Sequence, residues 1–150
     1  MIFRNRFYPF HKKEKKFNNI ALIGIGCNVG NCERRFKKLF LFFQHHPKID
    51  IKDSSYLYKN PPFGYIEQDD FINSVLVVTT SFSPMELLNF LLWVEKKFNR
   101  KRSFKNAPRT LDLDIIIYNN IKMNNKRLII PHPFFKTRDS VLLPLYLLRK

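Results

Sequence analysis

Phe71-Ile72-Asn73-Ser74-Val75-Leu76-Val77-Val78-Thr79-Thr80, followed after three intervening residues by Pro84-Met85-Glu86-Leu87-Leu88-Asn89-Phe90-Leu91-Leu92-Trp93-Val94-Glu95, is the stretch that decides the fold. Its first ten residues are rich in β-branched side chains, which suit a pleated, half-buried surface, so they predict a strand. Ser83-Pro84-Met85-Glu86 then predicts a helix start. Ser83 can cap, Pro84 suits the first helical position, and Glu86 completes a capping box. Leu87, Leu91, Val94 and Phe98 recur at helical spacing and form a buried stripe, so the helix runs to about Phe98.

The same alternation continues in both directions. Residues 20–25 are a short apolar run and predict a buried strand. Residues 32–46 place Phe36, Leu39, Phe40 and Phe43 on one helical face, and Pro47 closes that helix. Residues 49–58 predict a second strand, and Asn60-Pro61-Pro62-Phe63-Gly64 a rigid loop. Beyond the second helix lie a basic, polar connection (100–108) and a strand (110–118). Asn119-Asn120 suits the positive φ of a tight turn. Two strand-like returns follow (121–123 and 127–130), then a break at Pro131-His132-Pro133 and an apolar helix or strand over 141–148. The order β-α-β-β-α-β plus a hairpin predicts an α+β protein: a ferredoxin-like sheet with helices packed on it, in one domain over residues 19–150. Residues 1–18 carry six Lys and Arg against Glu14 and read as a disordered basic leader, with an organelle presequence as the alternative.

The 150 residues are 45% hydrophobic and 26% charged, the profile of a soluble globular protein large enough for its own core. No apolar run approaches the ~20 residues of a membrane span, and a cytoplasmic protein is expected. Two cysteines make no disulfide scaffold and cannot supply four metal ligands, so Cys27 and Cys32 are expected as free thiols in a reducing compartment. The net charge of +15 suggests polyanionic partners. Its competitor is compositional drift, since 17 Lys, 14 Asn and 16 Phe beside only 4 Gly follow an A/T-rich coding bias. A nucleic-acid module would need an RNP-type aromatic strand, and the sequence has none.

The chemistry-bearing residues fall into three groups. Gly24, Gly26 and Gly30 follow the first strand, but their spacing misses the dinucleotide fingerprint and no GK[ST] is present. Their placement in so glycine-poor a chain suggests positive φ or close approach to a ligand, with a plain turn as the alternative. In Arg109-Thr110-Leu111-Asp112-Leu113-Asp114-Ile115, alternation puts both aspartates on one face, with Cα atoms ~7 Å apart. Two carboxylates suit Mg²⁺, which binds one or two carboxylates plus substrate phosphates; a solvated or salt-bridged pair is the competing reading. Arg100, Arg102, Lys105 and Arg109 precede the aspartates, and Arg127, His132 and Arg138 follow them. Arginine forks suit phosphates, so the arc and the aspartates together imply a nucleoside triphosphate. A turn histidine bonded to backbone is the other reading of His132.

Four blocks in order then carry a resemblance across residues 20–148. They are Gly26-Cys27-Asn28-Val29-Gly30; Asn60-Pro61-Pro62-Phe63-Gly64 with Gln68 and Phe71-Ile72-Asn73; Pro108-Arg109-Thr110-Leu111-Asp112-Leu113-Asp114-Ile115; and Arg127-Leu128-Ile129-Ile130-Pro131-His132-Pro133 with Arg138 and Pro144-Leu145. The chain resembles the 6-hydroxymethyl-7,8-dihydropterin pyrophosphokinases of folate biosynthesis. The resemblance implies transfer of the β,γ-pyrophosphoryl unit of ATP to the pterin hydroxymethyl group, with release of AMP. It implies two Mg²⁺ ions on Asp112 and Asp114, and catalytic contributions from Arg100, Arg102 and Arg109. It further implies ATP contacts from Glu95, Arg100, Arg102, Arg109, Ile115, Arg127, His132 and Arg138. Asn60, Pro61, Phe63, Phe71 and Asn73 would hold the pterin. The implied partners are these small molecules, with no membrane, no nucleic acid and no obligate protein. Three positions depart from the family pattern: Cys27 stands where Ser is usual, Asn60 where Thr is common, and Ser140 where an aromatic is frequent.

Overall fold

The computed structural model describes residues 1–61, 67–100, 108–133, 144–146 and 148. The expected strands and helices form close to their predicted places. Strand β3 (Asn19–Cys27) leads into helix α1 (Cys32–Gln44), and β6 (Phe71–Thr80) into α2 (Pro84–Lys97). The single strand expected over 49–58 is instead two, β4 (Ile49–Ser54) and β5 (Leu57–Asn60), which pair with successive parts of β6. Between them Ser55 is buried; its hydroxyl bonds Ser74 at 2.7 Å and accepts from the Val75 N–H at 3.0 Å. Strand β7 (Asp112–Tyr118) follows, then a small separate hairpin, β8 (Met123–Asn124) with β9 (Ile129–Ile130). Asn119 takes the expected positive φ at the end of β7 (φ 46°).

Strand β3 is central. It pairs antiparallel with β6 on one side and β7 on the other. The order β5-β6-β3-β7 is that of a ferredoxin-like sheet, so the predicted fold class holds. The register also assigns the two faces. Ala21, Ile23, Ile25, Leu76, Val78, Leu113 and Ile115 belong to the main core, together with Phe36, Leu39, Phe40 and Phe43 of α1 and Leu87, Leu91 and Val94 of α2. Burying each of these side chains other than Ala21 contributes about 1.5–3 kcal/mol. Both helices start as the sequence predicts or better. Ser83 and Glu86 form the capping box, and the Asn31 side chain accepts from the Arg34 N–H at 3.1 Å. The other sheet face holds a smaller apolar cluster of Leu22, Val75 and Ile116, against which Leu145 and Leu148 pack.

Two further expectations fail. Residues 1–18 are not a disordered leader: they carry β1 (Ile2–Phe3), paired with β5, and β2 (Phe10–His11), paired with β4. Tyr8 is fully buried, donates its hydroxyl to the Phe36 carbonyl at 2.8 Å, and burial pushes its phenol pKa up. Phe7 stacks on Phe40 with ring centroids 4.5 Å apart. The aromatic side chains between the basic ones anchor this segment, which its average charge conceals. The cysteines are also not free. Cys27 and Cys32 form a disulfide, because Gly30 in the left-handed region (φ 75°) turns the end of β3 back toward the start of α1.

Candidate active site

The expected site residues on strands, Ile115 excepted, gather at one end of the sheet, on the face away from the helices. Gly26 is the direct partner of Asn73 on β6 and of Asp112 on β7. Asp114 follows on the same face, opposite Gly24. A Cβ on Gly26 would lie 2.7 Å from the Asn73 amide nitrogen, so this glycine serves close approach rather than a turn. Asn60 is the partner of Phe71 on the neighbouring strand, which brings the Asn60–Pro61 corner beside Phe71 and Asn73.

On the β6 side two amide oxygens have no hydrogen-bond partner although they are buried: Asn60 Oδ1 and Asn73 Oδ1. An orphaned buried acceptor costs about 1–3 kcal/mol, which a ligand donor would recover. Asn73 Nδ2 donates to the Ile25 carbonyl at 3.2 Å, which fixes the amide with its oxygen away from the strand. Phe71 is buried yet belongs to neither apolar cluster, and the Arg109 guanidinium lies over its ring at 5.5 Å.

On the β7 side Asp112 sits in a cationic frame. Arg100 Nη1 reaches Asp112 Oδ1 at 2.7 Å and Glu95 Oε2 at 2.9 Å. Arg109 Nη1 is 3.8 Å from Asp112 Oδ2. Glu95 is itself buried, and its Oε2 also accepts from the Leu113 N–H at 2.8 Å. One carboxylate of α2 therefore holds both the arginine and the main chain between the two aspartates. The competing reading of a salt-bridged Asp112 is correct as far as it goes, since Arg100 and Arg109 both engage it. His132 joins β7 through its N–H, which donates to the Ile116 carbonyl at 2.9 Å. Ile115, expected at the ATP, directs its side chain into the helix-side core instead. Arg127 donates to Asn89 on α2. Phe63, Arg102 and Arg138 lie outside the described residues, as do Lys105 and Ser140.

Two residues given no role on sequence grounds hold the site together. The Asn28 side chain accepts from the Arg109 N–H at 2.8 Å and donates to Gln68 Oε1 at 2.8 Å and to the Asp69 carbonyl at 3.0 Å. Arg35 Nη1 donates to the Thr110 carbonyl at 3.0 Å and contacts Cys27 Sγ at 2.9 Å. Partial burial lowers the Arg35 pKa. The signal for Asn28 was its place inside the Gly26–Gly30 block; Arg35, on the first turns of α1, left none. A cleft of about 670 Å³ is lined by Asn28, Gly30, Lys59, Gln68 and Ile72, and by none of the residues expected to contact ATP, Mg²⁺ or the pterin.

Could the paired aspartates hold metal? Among the described residues no group of three or more His, Cys, Asp and Glu side chains converges. Two carboxylates on one face nevertheless fit Mg²⁺, which needs one or two of them and takes its remaining ligands from phosphates and water.

A sheet end that joins partner-seeking amide oxygens to an arginine-framed carboxylate suits a transferase that brings a polar heterocycle to a phosphorylated donor. Comparison with known proteins gives the particular family. The model of the 7,8-dihydro-6-hydroxymethylpterin-pyrophosphokinase family matches residues 22–150, and the chain belongs to that family. The 2-amino-4-hydroxy-6-hydroxymethyldihydropteridine pyrophosphokinase of Helicobacter pylori is 42% identical over 149 residues, covering 97% of this chain and 91% of that protein. The Campylobacter jejuni protein of the same name is 41% identical over 143 residues, covering 95% and 91%. The Bacillus subtilis one is 35% identical over 128 residues, covering 85% and 77%. The protein is a pyrophosphokinase of folate biosynthesis, with ATP as co-substrate. No helix among the described residues is long and apolar enough to cross a membrane.

Proposed function

We propose that the Asn73–Gly26–Asp112 end of the sheet is where ATP and the pterin meet, and that the reaction depends on Mg²⁺. The observation that carries this reading is the register itself. It puts the unsatisfied Asn73 Oδ1 and the arginine-framed Asp112 on one face, with only Gly26 between them.

On the pterin side, Asn73 Oδ1 and Asn60 Oδ1 accept from the ring's N–H groups, and Phe71 offers its face for stacking once Arg109 turns to phosphate. Pro61 and Phe63 belong to the same wall by the family pattern. On the nucleotide side, Arg100 and Arg109 stand at the carboxylates where the triphosphate must lie, and Arg102, Arg127, His132 and Arg138 complete the anion-binding set. Glu95 keeps Arg100 aimed and the β7 main chain still. Ile115 contributes through its main chain.

Asp112 and Asp114 are the residues that would hold two Mg²⁺ ions, which supply charge neutralisation and alignment of the phosphates with the attacking hydroxyl. In the transfer, the pterin hydroxymethyl oxygen forms a bond to the β-phosphorus and releases its proton to solvent water. The bond from that phosphorus to the oxygen bridging to the α-phosphorus breaks, and AMP leaves with that oxygen. Each residue's contribution is placement and charge, which accounts for most catalysis of phosphoryl transfer. We place the reaction in the cytoplasm, in a monomer acting on small molecules without an obligate protein partner.

The test is purified protein with ATP, Mg²⁺ and 6-hydroxymethyl-7,8-dihydropterin, with nucleotides separated afterwards. AMP is expected only when both pterin and Mg²⁺ are present; ADP in its place would overturn the chemistry. Asp112→Ala and Asp114→Ala should each lose about 100-fold or more in turnover while remaining folded. Near wild-type turnover in either variant would sink the metal assignment.

A further inference from the structure

The family match begins at residue 22, yet the twenty-one residues before it contribute two strands and a buried tyrosine. What those strands hold is specific. β1 lies along β5, with Ile2 opposite Tyr58 and Phe3 opposite Leu57, and the Lys59 N–H donates to the Met1 carbonyl at 2.8 Å. The other edge of β5 pairs with the start of β6: Tyr58 opposite Asn73, Lys59 opposite Ile72, Asn60 opposite Phe71. β5 is only four residues long and runs directly into Pro61. Held on one side alone, it would be a short edge strand, the kind of element that opens most readily. With β1 in place it is paired on both sides.

The strap is anchored independently at its other end. The Ser54 hydroxyl donates to the Phe7 carbonyl at 2.6 Å, Tyr8 fills the core against α1, and the Lys12 N–H donates to the Lys52 carbonyl at 2.9 Å. His11 and Lys12 meet Asp53 and Asp50 of β4. Loss of the β1–β5 contact therefore leaves most of the strap docked.

We propose that residues 1–12 are a strap that positions β5, and through it Asn60 and Pro61, against Phe71 and Asn73, so that pterin recognition depends on a segment that touches no substrate. This rests on the reading of Asn60, Phe71 and Asn73 as the pterin side of the site. Phe3 is a positioning residue in this arrangement. The nucleotide side, on β7 and α2, makes no such contact with β1 and is left as it is.

The full-length protein carrying Phe3→Pro tests the strap. Proline has no N–H and does not suit a paired strand, so the β1–β5 ladder is lost while Phe7 and Tyr8 stay docked. The pterin KM should rise about tenfold, the size of one lost hydrogen-bond contribution, with the ATP KM and kcat within about twofold. Should Phe3→Pro not fold, Phe3→Ala, which only loosens the contact, should give the same split at about threefold. An unchanged pterin KM in a folded variant would overturn the proposal. So would equal losses for ATP and pterin, which would mean a purely structural role. Asn73→Ala is measured alongside. If it raises the pterin KM and Phe3→Pro does not, the strap alone fails; if Asn73→Ala does not raise it, the pterin-side reading fails and the strap proposal with it.

Discussion

Asn73 and Asp112 lie on the same face of the sheet, on opposite sides of Gly26, each its direct cross-strand partner. Neighbouring strands are about 4.8 Å apart, so the two residues stand about 10 Å from each other with no side chain between them. That gap is the width over which one substrate must reach the other. Gly26→Ala would put a methyl 2.7 Å from Asn73 Nδ2 but at an ordinary 3.8 Å from Asp112 Cβ. The strand conformation itself accepts alanine, so the fold survives and the asparagine moves. The pterin KM should rise about tenfold, equivalent to about 1.4 kcal/mol, while the ATP KM stays within about twofold. Steady-state kinetics with each substrate varied in turn checks it, and parallel increases in both constants would show that Asp112 moves too.

Glu95 is the second point at which one atom serves two partners. Its Oε2 accepts from Arg100 at 2.9 Å and from the Leu113 N–H at 2.8 Å, and its side chain is 4% exposed. Glu95→Ala leaves a buried main-chain donor unpaired and Arg100 with Asp112 as its remaining described carboxylate partner. The expected loss is about 2–3 kcal/mol in urea unfolding, with a fall in turnover because the chain between the aspartates is no longer held. A loss under about 1 kcal/mol would mean that water replaces the carboxylate at both donors.

Much of this was legible in the sequence, and the reasons are local. The β-branched run of residues 71–80 and the Ser83–Glu86 capping box each encode their element within a few residues, so β6 and α2 fall where pattern reading puts them. The shared face of Asp112 and Asp114 follows from the two-residue alternation of a strand. What escaped depends on distant partners. The β1–β5 pairing joins residues more than fifty positions apart, and the strap's anchors, Phe7 and Tyr8, are hidden in a segment whose mean property is charge. Glu95 reaches Leu113 across eighteen residues, and only the resemblance marked it. The break between β4 and β5 turns on Ser55 and Ser74, polar residues that satisfy each other inside the sheet and carry no periodic signal.

The Cys27–Cys32 disulfide spans only five positions, and both sulfurs are buried at the loop between β3 and α1. Closing so short a loop constrains the unfolded chain by about 2 kcal/mol on the chain-entropy account. The native protein should therefore titrate no free thiol without reductant. Reductant or the Cys27→Ser, Cys32→Ser double variant should lower the unfolding free energy by up to about 2 kcal/mol. Thiol titration under native conditions, followed by urea unfolding with and without reductant, checks both statements. Two titratable thiols in the protein as isolated would restore the free-cysteine reading.

The capping box of α2 makes a prediction about acid. The Ser83 main-chain N–H donates to Glu86 Oε1 at 2.9 Å, and this bond is the largest cause holding the Glu86 carboxyl below its ordinary 4.5; the Ser83 side chain adds to it. A carboxyl depressed in the folded state binds its proton more readily in the unfolded one. Its contribution is therefore complete above about pH 4.5 and is lost as pH falls through the lower, folded value. Glu86→Gln keeps an oxygen for the same bond but has no charge to lose. The wild type should be the more stable of the two at pH 7, and the difference between their melting temperatures should narrow steadily as pH drops below 4.5. Paired thermal melts between pH 7 and pH 3 measure that difference directly. A gap that stays constant across the range would mean that the geometry of the cap matters at Glu86 and its charge does not.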